Sequence, residues 1–356
     1  MLGADIGLPA MTGKDRCLGT IKGATVDRVP LFPLLMFFAA DRLGVSYREF
    51  ATNGRVMAEA QLNVQDRFAL DAITACSDAF RVSADLGGEM GFPEGHPPHL
   101  LRPLVSSAGD VARLGRPDPT APGSRMADRT NAVNDMVRSV GERCLVLGWV
   151  DMPFAEAASV CGVQDFLMLM MDEPGTAHRL LEALTDIVID FALAQLQAGA
   201  PMIGAGDAAA SLVSPAAYRE FALPYEQRVC QAVHDAGGLV KLHICGNTSA
   251  LLEDMASSGA DLFNVDSMVD LSKATTVYAA QRKAFKGNLN PVGLIGASPD
   301  EARRRAMACL STARGSRFLL SAGCEIPSAV TDDVFRAFCS APTEAASDPP
   351  PSTASP

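Results

Sequence analysis

Short β-rich apolar runs recur along the middle of this sequence, and between several of them the apolar residues switch to a helical period. Eight runs stand out: Val29–Phe38, Leu70–Ala75, Cys144–Val150, Pro201–Gly206, Gly238–Ile244, Asp261–Val265, Ala284–Leu289 and Arg317–Ser321. The helical stretches carry their own end signals. Between Pro174 and Gly199, Leu180, Leu184, Val188 and Leu193 mark an apolar stripe, with Asp172 as N-cap. A second helix runs from Pro215 to Ala236 and stops at Gly237. A third, Pro299–Leu310, opens on Ser298 with Glu301 three residues later, the spacing of a capping box. Eight strands with helical crossovers favour a single-domain (β/α)8 TIM barrel over a doubly wound sheet. No linker interrupts residues 12–340. Residues 1–11 read as a flexible N-terminus, and the Pro/Ser-rich residues 341–356 read as a disordered tail. The Pro/Gly stretches at 87–103 and 115–124 read as long loops, with a local hairpin within 87–125.

Composition narrows the function classes. With 356 residues, 48% hydrophobic, the chain can bury a large core. Its net charge is −11 and it has no dense Lys/Arg stripe, which argues against nucleic-acid binding. Met1-Leu2-Gly3-Ala4-Asp5 lacks the cationic start of a signal peptide, and no apolar run reaches membrane-spanning length. The nine cysteines are scattered and odd in number. That pattern fits a reduced, cytoplasmic protein with buried thiols and a metal site better than a disulfide framework.

In a TIM barrel the active site lies at the C-terminal ends of the strands. Polar residues fall at nearly every such end. Ser77 and Asp78 follow the second run, Asp151 the third and Asp207 the fourth; His243, Cys245 and Asn247 close the fifth. Asp266 follows the sixth, Asn288 and Asn290 the seventh, and Cys324 and Glu325 the eighth. Asp and Asn are also ordinary turn residues, so each alone is as readily a turn former. The soft donors are more specific. His243 and Cys245 are two apart and share one face of a strand. Cys324 follows Gly323 at another strand end, within reach across a barrel mouth. Imidazole and thiolate are preferred zinc donors, and three protein ligands leave one coordination position open for chemistry. The competing reading is a buried cysteine beside a hydrogen-bonded histidine.

The stretch Lys241-Leu242-His243-Ile244-Cys245-Gly246-Asn247-Thr248, with Ser321-Ala322-Gly323-Cys324-Glu325-Ile326-Pro327, resembles the corrinoid-dependent zinc methyltransferase branch of the uroporphyrinogen decarboxylase superfamily. Methylcobalamin:coenzyme M methyltransferases belong to that branch. Asp27-Arg28-Val29-Pro30, the segment Gly206–Pro215 and Gly287-Asn288-Leu289-Asn290-Pro291 resemble the superfamily more broadly. The resemblance implies zinc held by His243, Cys245 and Cys324, a small thiol or methylated substrate at the open position, and a corrinoid, methylcobalamin or a corrinoid protein partner. It leaves the direction of transfer and any homo-oligomer open. Supporting roles fall to Asp78, Asp207, Asn247, Asp266, Asn288 and Glu325 as substrate-binding residues. Asp207 is expected to contact ligand or orient His243. Glu325 reads either as a displaceable fourth zinc ligand or as a salt-bridged loop residue. Trp149, the only tryptophan, reads as core packing or cavity lining.

Two rivals remain. Uroporphyrinogen decarboxylase carries an Arg-Gln-Ala-Gly-Arg run after its first strand to grip propionates. The matching stretch here, Leu34-Leu35-Met36-Phe37-Phe38-Ala39-Ala40-Asp41-Arg42, is apolar with one arginine. Asp78 does match that enzyme's substrate-binding aspartate, but carboxylate recognition without the arginines lacks its natural device. The other rival is a non-catalytic zinc-binding relative, whose structural site would be closed by a fourth protein ligand.

Overall fold

The computed structural model describes residues 11–347. Seven strands form one parallel sheet: β1 (Ala72–Thr74), β4 (Leu145–Asp151), β5 (Met202–Gly206), β6 (Leu239–His243), β7 (Leu262–Asn264), β8 (Ala284–Leu289) and β9 (Phe318–Ala322), hydrogen-bonded in that order. The short strands β2 (Met90–Gly91) and β3 (His99–Leu100) make the expected antiparallel hairpin. Seven of the eight predicted runs thus become strands of the parallel sheet, with ends shifted by up to two residues.

The first run does not. Val29–Phe38 makes only two isolated parallel bridges, Leu31 to Leu320 and Leu34 to Glu325, and Phe37 already opens helix Phe37–Leu43. Pro30 and Pro33 supply no amide protons, so a regular ladder cannot build there. The segment still lies between the two sheet edges. Phe32 N donates to Leu320 O, Leu320 N donates to Pro30 O, and Asp71 N, just before β1, donates to Leu31 O. The sheet is therefore curled, with an irregular segment across its gap.

Two further expectations change. The helix predicted over 215–236 is two helices, Pro215–Phe221 and Leu223–Asp235, broken at Ala222 just before Pro224, which cannot donate back to the preceding turn. Residues 341–347 of the predicted tail are helical instead, because helix Asp332–Ser347 continues through them. Val334, Phe335, Phe338, Ala341 and Pro342 form one buried stripe, and its packing overrides the local composition. The remaining tail, 348–356, and residues 1–10 of the predicted flexible start lie outside the described residues.

Alternation along the strands sorts the residues between two faces. The outer face packs on the helices in the main core. The inner face starts apolar, with Leu145, Leu147, Met202, Leu262, Ala284 and Leu319 packed on Phe32 and on Cys17 and Ile21 of helix Gly13–Lys22. Toward the strand C-termini the same inner positions turn polar: Trp149 and Asp151, Lys241 and His243, Asn264, Lys286 and Ser321. Among the described residues no single helix is long and apolar enough to cross a membrane; one sharply bent pair, Pro153–Cys161 with Val163–Asp172, passes that test only when joined.

Candidate metal centre

His243 is the last residue of β6, Cys245 follows it by two, and Cys324 lies two residues beyond β9. The fold brings the three together. Cys245 Sγ is 3.1 Å from His243 Nε2 and 3.9 Å from Cys324 Sγ, and one ligand atom from each lies within 4.8 Å of the other two. Two sulfurs on one tetrahedral zinc, at Zn–S of about 2.3 Å, stand roughly 3.8 Å apart. The observed separation fits that ion. Among the described residues no fourth His, Cys, Asp or Glu joins the group.

Asn264, at the end of β7, positions two of the three donors. Its carbonyl oxygen lies 3.4 Å from His243 Nδ1, and a proton assigned to Nδ1 donates to it, leaving Nε2 free to ligate. Its side-chain Nδ2 donates to the Gly323 carbonyl at 3.1 Å, fixing the residue before Cys324. Gly323 itself is required by space, since a Cβ there would come within 2.2 Å of Ser267 N. The sulfurs share a proton. Its hydrogen bond from Cys245, with help from His243, pulls the Cys324 thiol to about 3, while the same bond and burial push Cys245 up. A cation that binds both sulfurs displaces the proton between them.

Beneath and beside the trio lie groups that the motif did not point to. Asp151, Gly206 and His243 are register partners across β4, β5 and β6 and so share one inner row. Gly206 contributes no side chain, and Asp151 Oδ1 sits 3.0 Å from where its Cβ would be. One row lower, Trp149 lies across the bare Gly204 and stacks on Lys241, whose Nζ is 4.4 Å from the ring centroid. Trp149 is therefore both buried and part of the inner wall. Burial lowers Lys241 to about 8. Lys286, fully buried, donates to Phe32 O at 2.6 Å, and burial with the nearby Lys241 charge lowers it further. Lone lysines on an inner strand position were the available sequence signal.

The other predicted residues scatter. Asp207 follows the inward Gly206 and so points outward, where it is fully buried. Only its backbone touches the histidine, its N–H donating to His243 O at 2.8 Å, so it does not orient the imidazole. Burial first, then the Glu226 carboxylate, push Asp207 well up; neither of its oxygens finds a donor. Glu325 turns away from the sulfurs. Its Oε1 accepts from Met36 N at 3.1 Å and Phe37 N at 2.5 Å, and burial raises it to about 8. Two backbone amides hold its Oε1, it makes no salt bridge among the described residues, and it lies outside the group of three donors. Asn247 is exposed and forms a turn with Ser249 N. Asn288 Nδ2 latches the loop after β7 through Asp266 O and Val269 O, and Asp266 Oδ1 accepts from Met268 N. Asp266 is one of the charges raising Cys245, and Cys324 is one of those raising Glu325.

Asp78 sits elsewhere, with its side chain wholly buried. Arg125 clamps it through both oxygens at 2.8 and 3.0 Å, Ser77 Oγ donates at 2.5 Å, and Arg81 and Arg129 approach to 3.7 Å. The guanidiniums overcome burial and hold this carboxyl well below the usual range. Sequence reading looked for arginines directly after the first run and so missed these three, which come from later segments.

Comparison with known proteins places this architecture. The family model described as uroporphyrinogen decarboxylase (URO-D) matches residues 12–344. The chain belongs to the uroporphyrinogen decarboxylase family. Within this family it is 31% identical over 314 residues to the uroporphyrinogen decarboxylase of Xanthomonas campestris pv. campestris (strain B100), covering 82% of this chain and 86% of that one. The uroporphyrinogen decarboxylase of Trichormus variabilis is 29% identical over 323 residues, covering 86% and 90%. A methyltransferase from Methanosarcina mazei superposes with a TM-score of 0.85 over 94% of this chain and 99% of its own, at 23% identity, which establishes a common fold. Family membership alone leaves the reaction open, since relatives named for decarboxylation and a methyltransferase share this architecture.

Proposed function

We propose that this family member is a zinc-dependent methyltransferase, moving a methyl group between a corrinoid and a small thiol or its methylated form. The fold is read as a (β/α)8 plan whose first strand has decayed to the bridged segment around Leu31–Leu34. The observation that carries the function is the trio itself: three soft donors at zinc spacing on the strand C-terminal face, without a fourth among the described residues. A closed structural site would need that fourth ligand, and Glu325, beside Cys324 in sequence, has its Oε1 held by Met36 N and Phe37 N.

His243 Nε2 and the sulfurs of Cys245 and Cys324 would hold the metal. When bound, zinc holds a coordinated thiol in its deprotonated, nucleophilic form. The chain's own part is positional. Asn264 O keeps the imidazole proton on Nδ1, and Asn264 Nδ2 fixes the Cys324 loop. Lys241 places buried positive charge near Cys245 and so favours its thiolate form. The methylated corrinoid, free or on a protein partner, would approach from the open strand-end side. Nucleic acid and membrane have no role in this reading.

Decarboxylation is the second reading, favoured by the names of the relatives. Asp78, its expected substrate ligand, is already saturated by Arg125, Ser77 and Phe80 N. Purified protein should contain about one zinc per chain, and Cys245→Ala or Cys324→Ala should abolish it. With methylcob(III)alamin and thiols, cob(I)alamin should appear by absorbance in the wild type only. Metal-free protein that turns over a porphyrinogen would overturn the proposal.

A further inference from the structure

A cleft of about 480 Å3 opens between the β2–β3 hairpin, helix Pro153–Cys161 and the turn Ala208–Leu212 that follows β5. It lies on the C-terminal face, because its walls come from the segments after β1, β4 and β5. The walls are apolar: Phe80, Leu101, Ala155, Ala158 and Leu212 all contribute. Leu101 and Leu212 at the rim are 51% and 61% exposed, an unusual outlay of leucine surface in one place. Asp151 reaches the cleft from the inner row it shares with His243. The two Cα atoms are two strand spacings apart, roughly 9–10 Å, with Gly206 between them; the Asp151 carboxylate and the Trp149 ring each come to 3.0 Å of where its Cβ would be.

We propose that this cleft is the small-substrate subsite and that it selects thiols, or their methyl thioethers, with an uncharged apolar body. The inference rests on the methyltransferase reading above and names the substrate class for it. A substrate whose sulfur sits on the metal would have to cross the strand-end face over Asp151 for its carbon skeleton to reach the cleft, and Asp151 lines that cleft. The basic groups that line the cleft, His99 and Arg102, both come from the exposed hairpin edge and not from its apolar floor. Arg102 at its edge is exposed and paired with Glu89 at 2.7 Å, and Arg81 faces Asp151 at 3.4 Å and Ser77 at 3.2 Å. Burial outweighs Arg81 and pushes Asp151 up to about 7, so near neutrality its carboxyl is only partly ionised. Small alanine side chains along the helix, in place of larger ones, leave the volume for a ring or short chain.

The test uses the full-length chain loaded with cobalt(II), whose visible spectrum reports sulfur coordination. Benzyl mercaptan and 2-mercaptoethanesulfonate are titrated in parallel. The expected result is binding of benzyl mercaptan about tenfold tighter, the equivalent of 1.4 kcal/mol. Leu101→Glu and Leu212→Glu, singly and together, should keep the metal and erase that preference. Both sites are surface positions, so the single variants guard against misfolding in the double. Equal affinities, or a preference that survives both charges, would overturn the subsite. So would displacement of benzyl mercaptan by cobinamide, which would assign the cleft to the corrin ring. Should neither thiol perturb the cobalt spectrum, the methyltransferase reading itself fails, a result distinguishable from failure of the cleft alone.

Discussion

Along β6 to β9 the strand ends carry three soft donors whose bonding capacity is left open; along β1 and β4 they carry Asp78 and Asp151 amid Arg81, Arg125 and Arg129. Both regions are buried and polar, yet they are built differently. The donors of the first are held by backbone and amide contacts that do not consume their lone pairs, as Asn264 does for His243 and Cys324. The charges of the second are spent on one another. Burial of polar groups therefore does not by itself mark a reactive site. What marks it is capacity left over after the local hydrogen bonds are counted.

Removing a partner should separate the two regions most sharply at Asp78. Asp78→Ala leaves three guanidiniums buried without their carboxylate, and breaking a buried pair in this way costs about 3–5 kcal/mol. Urea unfolding should show the loss as a lower midpoint. Metal content of the fraction that remains folded should stay near that of the wild type. Cys324→Ala should do the reverse, emptying the metal site with little change in the urea midpoint. If Asp78→Ala empties the site while stability holds, the division between the two halves is wrong.

Asn264→Ala tests the positioning of the donors. The imidazole loses no backbone partner, but the Gly323 carbonyl loses its donor and the Cys324 loop is freed. Loss of such an outer contact typically weakens metal affinity by 10–100-fold. Competition with a zinc chelator measures it. Retained affinity would show that Gly323, wedged against Ser267, fixes the loop unaided.

These residues also show what a single sequence could and could not tell. His243, Cys245 and Cys324 were legible because the soft donors are rare and strand periodicity plus a Gly-Cys end placed them together. Seven parallel strands were legible because each was a short apolar run between helices. Asn264 was not, since it works partly through its backbone carbonyl, which leaves no sequence signature. Asp207 was misread because strand ends were treated as one class; counting parity from Met202 would have placed it outward. Glu325 and Asn288 looked like ligands and are bound to loop backbone, a role any strand-end polar residue can take. The arginines around Asp78 come from separate segments, so no local motif announced them.

A smaller effect should appear with pH. Asp207 and Glu226 are buried together, and Glu226, which accepts from Tyr218 Oη at 2.6 Å, is raised by burial to about 7. A carboxyl whose folded pKa is raised binds more protons folded than unfolded. Its contribution is complete below the unfolded value near 4.5 and is lost as pH rises through the folded value near 7. Urea midpoints should therefore fall between pH 5 and pH 8, and Glu226→Gln should flatten that slope. A slope unchanged in the variant would move the titrating group elsewhere, with Asp151, raised to about 7 on the other side of the sheet, as the next to replace.

The smallest effect belongs to Asn247, and it bears on how the trio motif is read. Asn247 lies two residues beyond Cys245 and was grouped with the substrate ligands, yet its side chain is exposed and only caps Ser249 N at 3.2 Å. Surface positions of this kind change stability by no more than about 0.5 kcal/mol when replaced. Asn247→Ala should therefore keep its zinc, and thiol binding to the cobalt form should match the wild type. A matching titration would confine the working part of the motif to the inward positions 241, 243 and 245, two apart along one strand face. Loss of thiol affinity with the metal retained would instead extend the substrate's reach outward over the loop after β6.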